Sequence, residues 1–232
     1  MSLLFATIMS FISLISQSTN DTLALKHLIR EPKITSNNPP AVILLHGVGS
    51  NEQDLFSFAS KLPDKFMVIS ARAPIVLGSN SFAWYEVDFS TGKPVYNIEQ
   101  EAKSRTVLIN FIEQVKETYA LDGNEIYLCG FSQGAIMSYS VALTRPDLVK
   151  GIAVLSGRLL EEIKPEIKST AKLHSLKVLI SHGKNDNTLP FHYAKQALEY
   201  LKTLNINPTF KEYKAGHEIN GEMLNDLINW LK

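Results

Sequence analysis

Three side chains of the types used in nucleophilic catalysis follow one another in a defined order along the chain. Ser132 comes first, Asp186 second and His217 third. A serine hydroxyl becomes an effective nucleophile when a base removes its proton, and histidine titrates in the range that suits this task. A carboxylate on the other imidazole nitrogen would fix the histidine tautomer and stabilise the imidazolium. The three residue types therefore predict acyl transfer to a serine.

The serine lies in the pentapeptide Gly130-Phe131-Ser132-Gln133-Gly134, which has the pattern Gly-x-Ser-x-Gly. An apolar run precedes it and a stretch compatible with a helix follows it. This context is typical of a nucleophile elbow, a sharp strand-to-helix turn that exposes the serine hydroxyl. Gly130 and Gly134 suit the turn because a Cβ at either position would collide with the neighbouring strand or helix. The pentapeptide alone is a weak signal, so the rest of the chain must support it.

Acyl transfer also needs hydrogen-bond donors for the negative oxygen of the tetrahedral intermediate. The backbone N–H of Gln133 is one candidate because it follows the nucleophile at the start of a helix. The backbone N–H of Val48, in the glycine-bearing loop His46-Gly47-Val48-Gly49, is the other. We expect His46 to hold this loop by hydrogen bonds rather than to act as the base.

Two other residues with reactive side chains have structural interpretations. Cys129 lies within the apolar run before the pentapeptide and is expected to be a small buried hydrophobic residue. His182, which precedes Gly183, is expected to be structural. The sequence has a single cysteine, so an internal disulfide is impossible.

Strands and helices alternate along almost the whole chain. Helical spacing occurs over 52–62, 98–119, 133–144, 191–204 and 219–231. Strand patterns occur over 23–30, 41–45, 66–71, 124–129, 149–155, 176–181 and 208–213. This alternation predicts an α/β fold: one domain, a mostly parallel central sheet, helices on both faces and no large cap domain. Sites in such sheets gather beyond the carboxyl ends of the strands, where the candidate residues fall.

Two segments do not fit a simple strand or helix. Residues 73–97 form a long, irregular, aromatic-rich stretch, which either contributes to function or only fastens the loop down. Residues 158–175 could form a short helix or a flap. The following five residues of these segments are predicted to contact the acyl group of a substrate: Phe82, Trp84, Tyr85, Leu159 and Leu160.

Composition excludes several classes of protein. The formal net charge is zero, which gives no footprint for nucleic-acid binding. The chain has no His-Glu-x-x-His motif, no clustered Cys/His spacing and no Gly-x-Gly-x-x-Gly opening a helix. We therefore predict no metal, no cofactor and no nucleic-acid partner, but a small-molecule acyl ester as substrate. Exposed apolar surface could support a homodimer.

We predict that the α/β domain spans residues 23–232 and that the N-terminal residues before it lie outside this domain. Residues 1–22 form an apolar extension, and its apolar run, Leu3 to Ile15, is too short to span a bilayer comfortably as a helix. The small residues Ser16 and Ser18 suit a signal-peptidase site, yet no Lys or Arg precedes the apolar run. An extra helix and a leader at the gene start are the alternatives. We expect a cytoplasmic protein without an integral membrane span, or an exported one if 1–18 act as a signal peptide.

Over about residues 23–232 the sequence resembles the carboxylesterase/phospholipase branch of the α/β-hydrolase superfamily, which includes acyl-protein thioesterases and lysophospholipases. The resemblance rests on five motifs: Leu45-His46-Gly47-Val48-Gly49, Gly130-Phe131-Ser132-Gln133-Gly134, Trp84-Tyr85, His182-Gly183 with Asp186 and Pro190, and Gly216-His217. It implies an α/β-hydrolase fold with Ser132 as nucleophile, Asp186 and His217 as its partners, and Val48 and Gln133 as oxyanion donors. Val48 stands where the family usually has leucine, and residues 1–22 lie outside the family core.

These observations predict a serine carboxylesterase that hydrolyses small to medium acyl esters or thioesters through an acyl-enzyme intermediate. A lysophospholipase or acyl-protein thioesterase is the alternative within the same chemistry. A third possibility keeps the serine but hydrolyses peptides or amides. A non-catalytic scaffold that binds a ligand or partner is the alternative from another class, and it gains little because every catalytic position is filled.

Overall fold

A computed structural model describes residues 23–88, 90 and 95–232. The predicted N-terminal extension, residues 1–22, lies outside the described residues. The central sheet consists of β1 (His27–Arg30), β2 (Ala41–Leu45), β3 (Met67–Ala71), β8 (Ile126–Phe131), β9 (Gly151–Leu155), β10 (Lys177–Gly183) and β11 (Thr209–Tyr213). Two small sheets pair β4 (Ile75–Gly78) with β5 (Ser81–Ala83) and β6 (Val87–Asp88) with β7 (Val95–Tyr96). The helices are α1 (Glu52–Phe56), α2 (Ile98–Thr118), α3 (Gln133–Thr144), α4 (Ala171–His174), α5 (His192–Thr203) and α6 (Gly221–Leu231).

The strand order of the central sheet is β1-β3-β2-β8-β9-β10-β11. β1 runs antiparallel to β3, and every other neighbouring pair in this sheet is parallel. The predicted α/β fold with a mostly parallel sheet is therefore confirmed. The strand that leads into Ser132, β8, lies in the middle of the sheet, so the turn that follows it has a neighbouring strand on each side.

Alternate residues of the central strands face two separate apolar cores. In β2, Ala41, Ile43 and Leu45 pack on the face covered by α2, α3 and α5. Val42 and Leu44 pack on the opposite face, against residues of α1 and α6. Because both faces are covered by helices, these strands are apolar throughout rather than alternating, as their sequences indicated.

The helix expected over 52–62 is shorter in the structure. α1 ends at Phe56, and a 3₁₀ helix follows at Ala59–Lys61. Pro63 explains the end of this segment, because a residue before proline is pushed out of the helical region, and Leu62 is extended (φ −71°, ψ 152°).

The two irregular segments have more order than a loop. Residues 73–97 contain both small sheets, although residues 89 and 91–94 lie outside the described part. Residues 158–175 contain a 3₁₀ helix at Glu161–Glu166, with Pro165 inside it, and α4. Neither segment builds a separate cap over the described sheet. Among the described helices, none has the length and apolar character needed to cross a membrane.

Candidate active site

Ser132 occupies a strained turn between β8 and α3. Its backbone has φ 53° and ψ −117°, a conformation that side-chain-bearing residues rarely adopt. Such a conformation costs on the order of 1–3 kcal/mol and persists only where surrounding contacts impose it. Here the Ser132 N–H donates to the Leu155 carbonyl (3.0 Å) and its carbonyl accepts from the Ile136 N–H (3.1 Å). The strain presents the hydroxyl at the carboxyl edge of the sheet.

The two glycines of the pentapeptide allow the turn because backbone passes where their side chains would lie. A Cβ on Gly130 would overlap the Gly134 carbonyl group, and a Cβ on Gly134 would overlap the Leu45 carbonyl oxygen. Both obstacles are backbone atoms, which cannot rotate away. α3 therefore lies close enough to β2 to bring the loop after β2 beside the serine.

The structure brings the three predicted catalytic side chains together. His217 Nε2 lies 2.9 Å from the Ser132 Oγ, and His217 Nδ1 lies 2.8 Å from the Asp186 Oδ2. Because a carboxylate only accepts, Nδ1 carries the proton, and in the neutral ring Nε2 is then free to accept the serine proton. The Phe131 ring packs against the imidazole with centroids 4.9 Å apart. The arrangement can pass a proton from the serine hydroxyl to the imidazole.

The Asp186 carboxylate is held from both sides. Its Oδ1 accepts from the backbone N–H groups of Thr188 (2.9 Å) and Leu189 (2.8 Å), while Oδ2 faces His217. The side chain is fully buried. Its turn-forming sequence and its role beside the histidine are therefore compatible, because the turn supplies the donors that orient the carboxylate.

His182 is a second histidine beside this carboxylate. Its Nε2 lies 2.7 Å from the Leu189 carbonyl oxygen and 3.3 Å from Asp186 Oδ2. Two acceptors around one nitrogen place the ring proton on Nε2. Burial lowers the pKa of His182, outweighing the favourable bond to Leu189, so the ring is neutral. His182 therefore has the structural role expected from the sequence, because it fixes the loop that carries Asp186.

His46 braces the loop after β2, as expected from the sequence. Its Nδ1 lies 2.7 Å from the Gly47 carbonyl oxygen, and its Nε2 accepts from the Ala73 N–H at 3.0 Å. Burial lowers the pKa of His46, although the bond to Gly47 opposes the shift. The His46 carbonyl in turn accepts from the Trp84 indole N–H at 3.0 Å. A neutral, fully buried imidazole therefore sets the path of this loop.

The side chain of Gln133 has a second function that sequence reasoning missed. Its Oε1 accepts from the Trp84 N–H (2.8 Å), and its Nε2 donates to the Tyr85 carbonyl (2.6 Å). The amide thus ties the aromatic segment to the residue after Ser132. No local sequence pattern marks this role, although a primary amide that becomes buried needs both an acceptor and a donor partner.

The two predicted oxyanion donors are the backbone N–H of Gln133, directly after Ser132, and that of Val48, within the loop after β2. The Gln133 N–H is the first of α3 and has no acceptor within the helix. Neither this N–H nor that of Val48 donates a hydrogen bond to another described residue outside the regular elements. The loops approach closely, since a Cβ on Gly47 would lie 3.3 Å from the Ser132 Cβ. Both donors are thus available for a ligand atom.

The predicted acyl contacts differ in accessibility. Trp84, Tyr85 and Leu160 are 0% exposed, whereas Phe82 and Leu159 each keep 9% of their surface exposed. Phe82 is fixed to the loop after β2, because its carbonyl accepts from the Gly49 N–H and its N–H donates to the Ser50 carbonyl. The contacts to an acyl group remain predictions, and the observed hydrogen bonds of Trp84 are to His46, Gln133 and Ser104.

The remaining reactive candidates lie outside this cluster. Burial raises the pKa of the Cys129 thiol to about 12, which matches its expected place as a buried hydrophobic residue. Within the described ranges, no group of three or more His, Cys, Asp or Glu side chains is arranged to hold a metal ion.

Comparison with known proteins finds a family model and several relatives that match this chain. The phospholipase/carboxylesterase family model matches residues 29–232. A probable carboxylesterase of Arabidopsis thaliana, SOBER1-like, is 32% identical over 133 residues, which is 53% of this chain and only 51% of that protein. Acyl-protein thioesterase 1 of Candida albicans is 28% identical over 226 residues, covering 88% of this chain and 96% of that protein.

Among solved structures, the Bacillus cereus carboxylesterase superposes with a TM-score of 0.78 at 23% identity. The match covers 91% of this chain and 95% of that one, and at this identity it supports the fold alone. The family model spans nearly the whole described chain, and its range includes Ser132, Asp186 and His217. The chain therefore belongs to the phospholipase/carboxylesterase family.

Proposed function

We propose that this protein is a serine carboxylesterase that hydrolyses small to medium acyl esters or thioesters through an acyl-enzyme intermediate. The observation that carries the proposal is the position of the His217 ring. Its two nitrogens lie 2.9 Å from the Ser132 hydroxyl and 2.8 Å from the Asp186 carboxylate. A neutral imidazole in this position accepts a proton on Nε2 while its Nδ1–H donates to the Asp186 carboxylate.

In the proposed first half-reaction the Ser132 oxygen forms a bond to the carbonyl carbon and its proton passes to His217 Nε2. The carbonyl oxygen becomes negative and accepts hydrogen bonds from the N–H groups of Val48 and Gln133. When the intermediate collapses, the bond to the alcohol or thiol breaks and His217 returns the proton to the leaving group. Losing one such donor costs about 3–4 kcal/mol of transition-state stabilisation.

In the second half-reaction water replaces the serine as nucleophile. His217 takes a proton from the water, the oxygen attacks the acyl carbon, and the acid leaves as the proton returns to the Ser132 oxygen. Asp186 stabilises the imidazolium that forms in both steps. No residue outside the described site is needed for these two half-reactions.

The names of the relatives support ester and thioester chemistry. The Candida albicans relative is an acyl-protein thioesterase, and the Arabidopsis relative is a probable carboxylesterase. A thioester has a better leaving group than an alkyl ester, so the same proposed residues serve both. Comparing an oxygen ester with a thioester of the same acyl chain measures the preference, and lysophospholipids extend the comparison to that alternative.

The test is covalent labelling combined with turnover. Wild-type protein is treated with a fluorophosphonate probe and assayed with p-nitrophenyl esters of increasing acyl length. We expect labelling at Ser132 and ester hydrolysis, and we expect Ser132→Ala to lose both. Ser57→Ala, which removes the hydroxyl of an exposed serine, is the matched control and should keep both. Full turnover in Ser132→Ala, or labelling at another residue, would contradict the proposal.

A further inference from the structure

Arg158 differs from the other arginines of this chain. The other four donate hydrogen bonds to carboxylates or backbone carbonyls: Arg30, Arg72, Arg105 and Arg145. Arg158 makes no hydrogen bond or ion pair with any residue that the structure describes, and its Nε is buried without a partner there. A guanidinium has five N–H donors, and leaving a buried donor unpaired is costly. Its guanidinium is therefore not paired with any described carboxylate at contact distance, although Glu162 lies near Tyr85 and Tyr96.

Two aromatic rings hold this guanidinium in place. Its central carbon lies 4.2 Å from the ring centroid of Tyr96 and 5.2 Å from that of Tyr193. Contact with a ring face stabilises the cation without using its N–H groups as hydrogen-bond donors. The planar fork, whose geometry matches a carboxylate or a phosphate, is thus oriented before any ligand arrives.

A hydroxyl without a partner lies in the same cluster. The Tyr85 side chain is 0% exposed, and its hydroxyl has no hydrogen-bond partner among the described residues. The Tyr85 ring packs edge-on to Tyr96, with centroids 6.1 Å apart. Burial raises the pKa of Tyr85 and the nearby Arg158 charge opposes that shift, so the hydroxyl keeps its proton. The cluster therefore offers a second donor beside the cation.

Both parts of the cluster are attached to the turn that carries Ser132. Arg158 follows Gly157, whose Cβ, if present, would lie 2.6 Å from the Ala135 Cβ in the first turn of α3. The Tyr85 carbonyl accepts from the side chain of Gln133 at 2.6 Å. β8 and β9 are neighbouring parallel strands with Phe131 opposite Leu155. Arg158 and Ser132 thus follow adjacent strands at the same edge of the sheet.

We infer that Arg158, oriented by Tyr96 and Tyr193 and assisted by Tyr85, binds an anionic group of the substrate at the rim of the active site. The inference rests on the proposed ester hydrolysis and deepens it by naming a substrate class. The preferred esters carry, besides the scissile bond, a carboxylate or a phosphate-type group that reaches the Arg158 cluster.

The experiment compares three esters of matched length: mono-p-nitrophenyl adipate, p-nitrophenyl 5-phosphonopentanoate and the neutral methyl p-nitrophenyl adipate. The measured quantity is the ratio of kcat/KM for each anionic ester to kcat/KM for the neutral ester, after subtraction of spontaneous hydrolysis. We expect a ratio of about 10 to 100 for at least one anion, the usual range for a charge-assisted hydrogen bond. The two anionic esters identify which group the site prefers, and added salt should lower the ratio.

The variants assign the preference to Arg158. Arg158→Met should bring the ratio close to one, and Arg158→Lys should keep part of it because the charge remains without the planar fork. Arg145→Met removes an equal charge at the far end of α3 and should keep the wild-type ratio. A wild-type ratio near one for both anions, or an unchanged ratio in Arg158→Met, would overturn the inference while leaving the proposed function in place. An enzyme that hydrolyses none of the three esters would overturn both.

Discussion

At the scale of single residues, the surroundings of Asp186 show why an isosteric change should be severe. Its Oδ1 is bound by two backbone N–H groups, from Thr188 and Leu189, whereas Oδ2 faces two histidine nitrogens. In Asp186→Asn the amide oxygen must stay at the Oδ1 position to accept those N–H groups. The new NH₂ group would then point at His217 Nδ1 and His182 Nε2, which are themselves donors.

We expect Asp186→Asn to fold and to lose about 10⁴-fold in kcat, because His217 must place its proton on Nε2 and can no longer accept from Ser132. The measurement is kcat for a p-nitrophenyl ester, with circular dichroism to establish folding. Asp226→Asn, a carboxylate bonded to the Tyr213 hydroxyl outside the cluster, is the matched control. Wild-type turnover in Asp186→Asn would mean that another carboxylate orients the histidine.

The order and types of the candidate residues were sufficient to predict which side chains would meet at the site. Ser132, Asp186 and His217 each follow a strand of a parallel sheet, and the carboxyl ends of such strands meet at one edge. The partners that depend on tertiary contacts were not accessible in this way. The Gln133 amide binds backbone groups of residues 84 and 85, and His182 binds the loop of Asp186, and no local pattern encodes either contact.

At the scale of elements, the approach of α3 to β2 decides where Ser132 lies. Gly134 is the second residue of α3, and its Cα packs against the Leu45 carbonyl at the end of β2. Helix propensity alone would favour alanine over glycine by about 1 kcal/mol in a helix interior. The close backbone contact reverses this preference, since neither partner has a side chain that can move aside.

We expect Gly134→Ala to lower the free energy of unfolding by about 3 kcal/mol or more, the upper end of the usual cost of overpacking, and to impair ester hydrolysis. Chemical denaturation and esterase assays measure the two effects. Gly221→Ala is the matched control, because Gly221 opens α6 and a Cβ there would meet no atom within 4 Å. Equal stability of the two variants would contradict the close packing of α3 on β2.

The sequence periodicity located most elements but not where each one stops. The apolar run that suggested a helix over 52–62 continues through the 3₁₀ helix at Ala59–Lys61, so burial alone does not distinguish the two geometries. The small sheets within 73–97 are very short, and their pairing depends on neighbours such as the bridge between Ser50 and Phe82. Strands of two or three residues, such as β5, β6 and β7, carry too little pattern for prediction from sequence.

At the scale of the whole molecule, the exposed apolar side chains are the surface on which two copies of the chain would associate. Val76 is 69% exposed and Val95 is 53% exposed, and both belong to the small sheets. The homodimer expected from the sequence stays a prediction.

Three buried histidines link the stability of the whole fold to pH. Burial lowers the pKa of His27, His46 and His182, in each case against a backbone hydrogen bond that raises it. Between these lowered values and the ordinary value of about 6.5, the unfolded chain binds protons that the folded chain does not. Stability is therefore fully present above the ordinary value and is lost as the pH falls through it.

Glu101 changes the pH dependence of stability in the direction opposite to the three histidines. Burial raises its pKa, outweighing Ser140 and Arg105, so above about pH 4.5 the folded chain can hold a proton that the unfolded chain has released. One carboxyl group opposes three imidazoles, so the net number of protons taken up on unfolding is positive just below pH 6.5. Each histidine contributes up to about 1.4 kcal/mol per pH unit to the slope.

We therefore expect the free energy of unfolding, measured by urea denaturation, to be level near pH 8 and to fall between pH 6.5 and 5.5. His27→Gln should reduce that slope, because it removes one buried imidazole that contacts Leu25 and Tyr119 and is not among the candidate site residues. His192→Gln, at an exposed position at the start of α5, is the matched control and should leave more of the slope than His27→Gln does. A flat profile from pH 8 to 5.5, or equal slopes in the two variants, would show that protonation of the buried rings is not what couples this fold to pH.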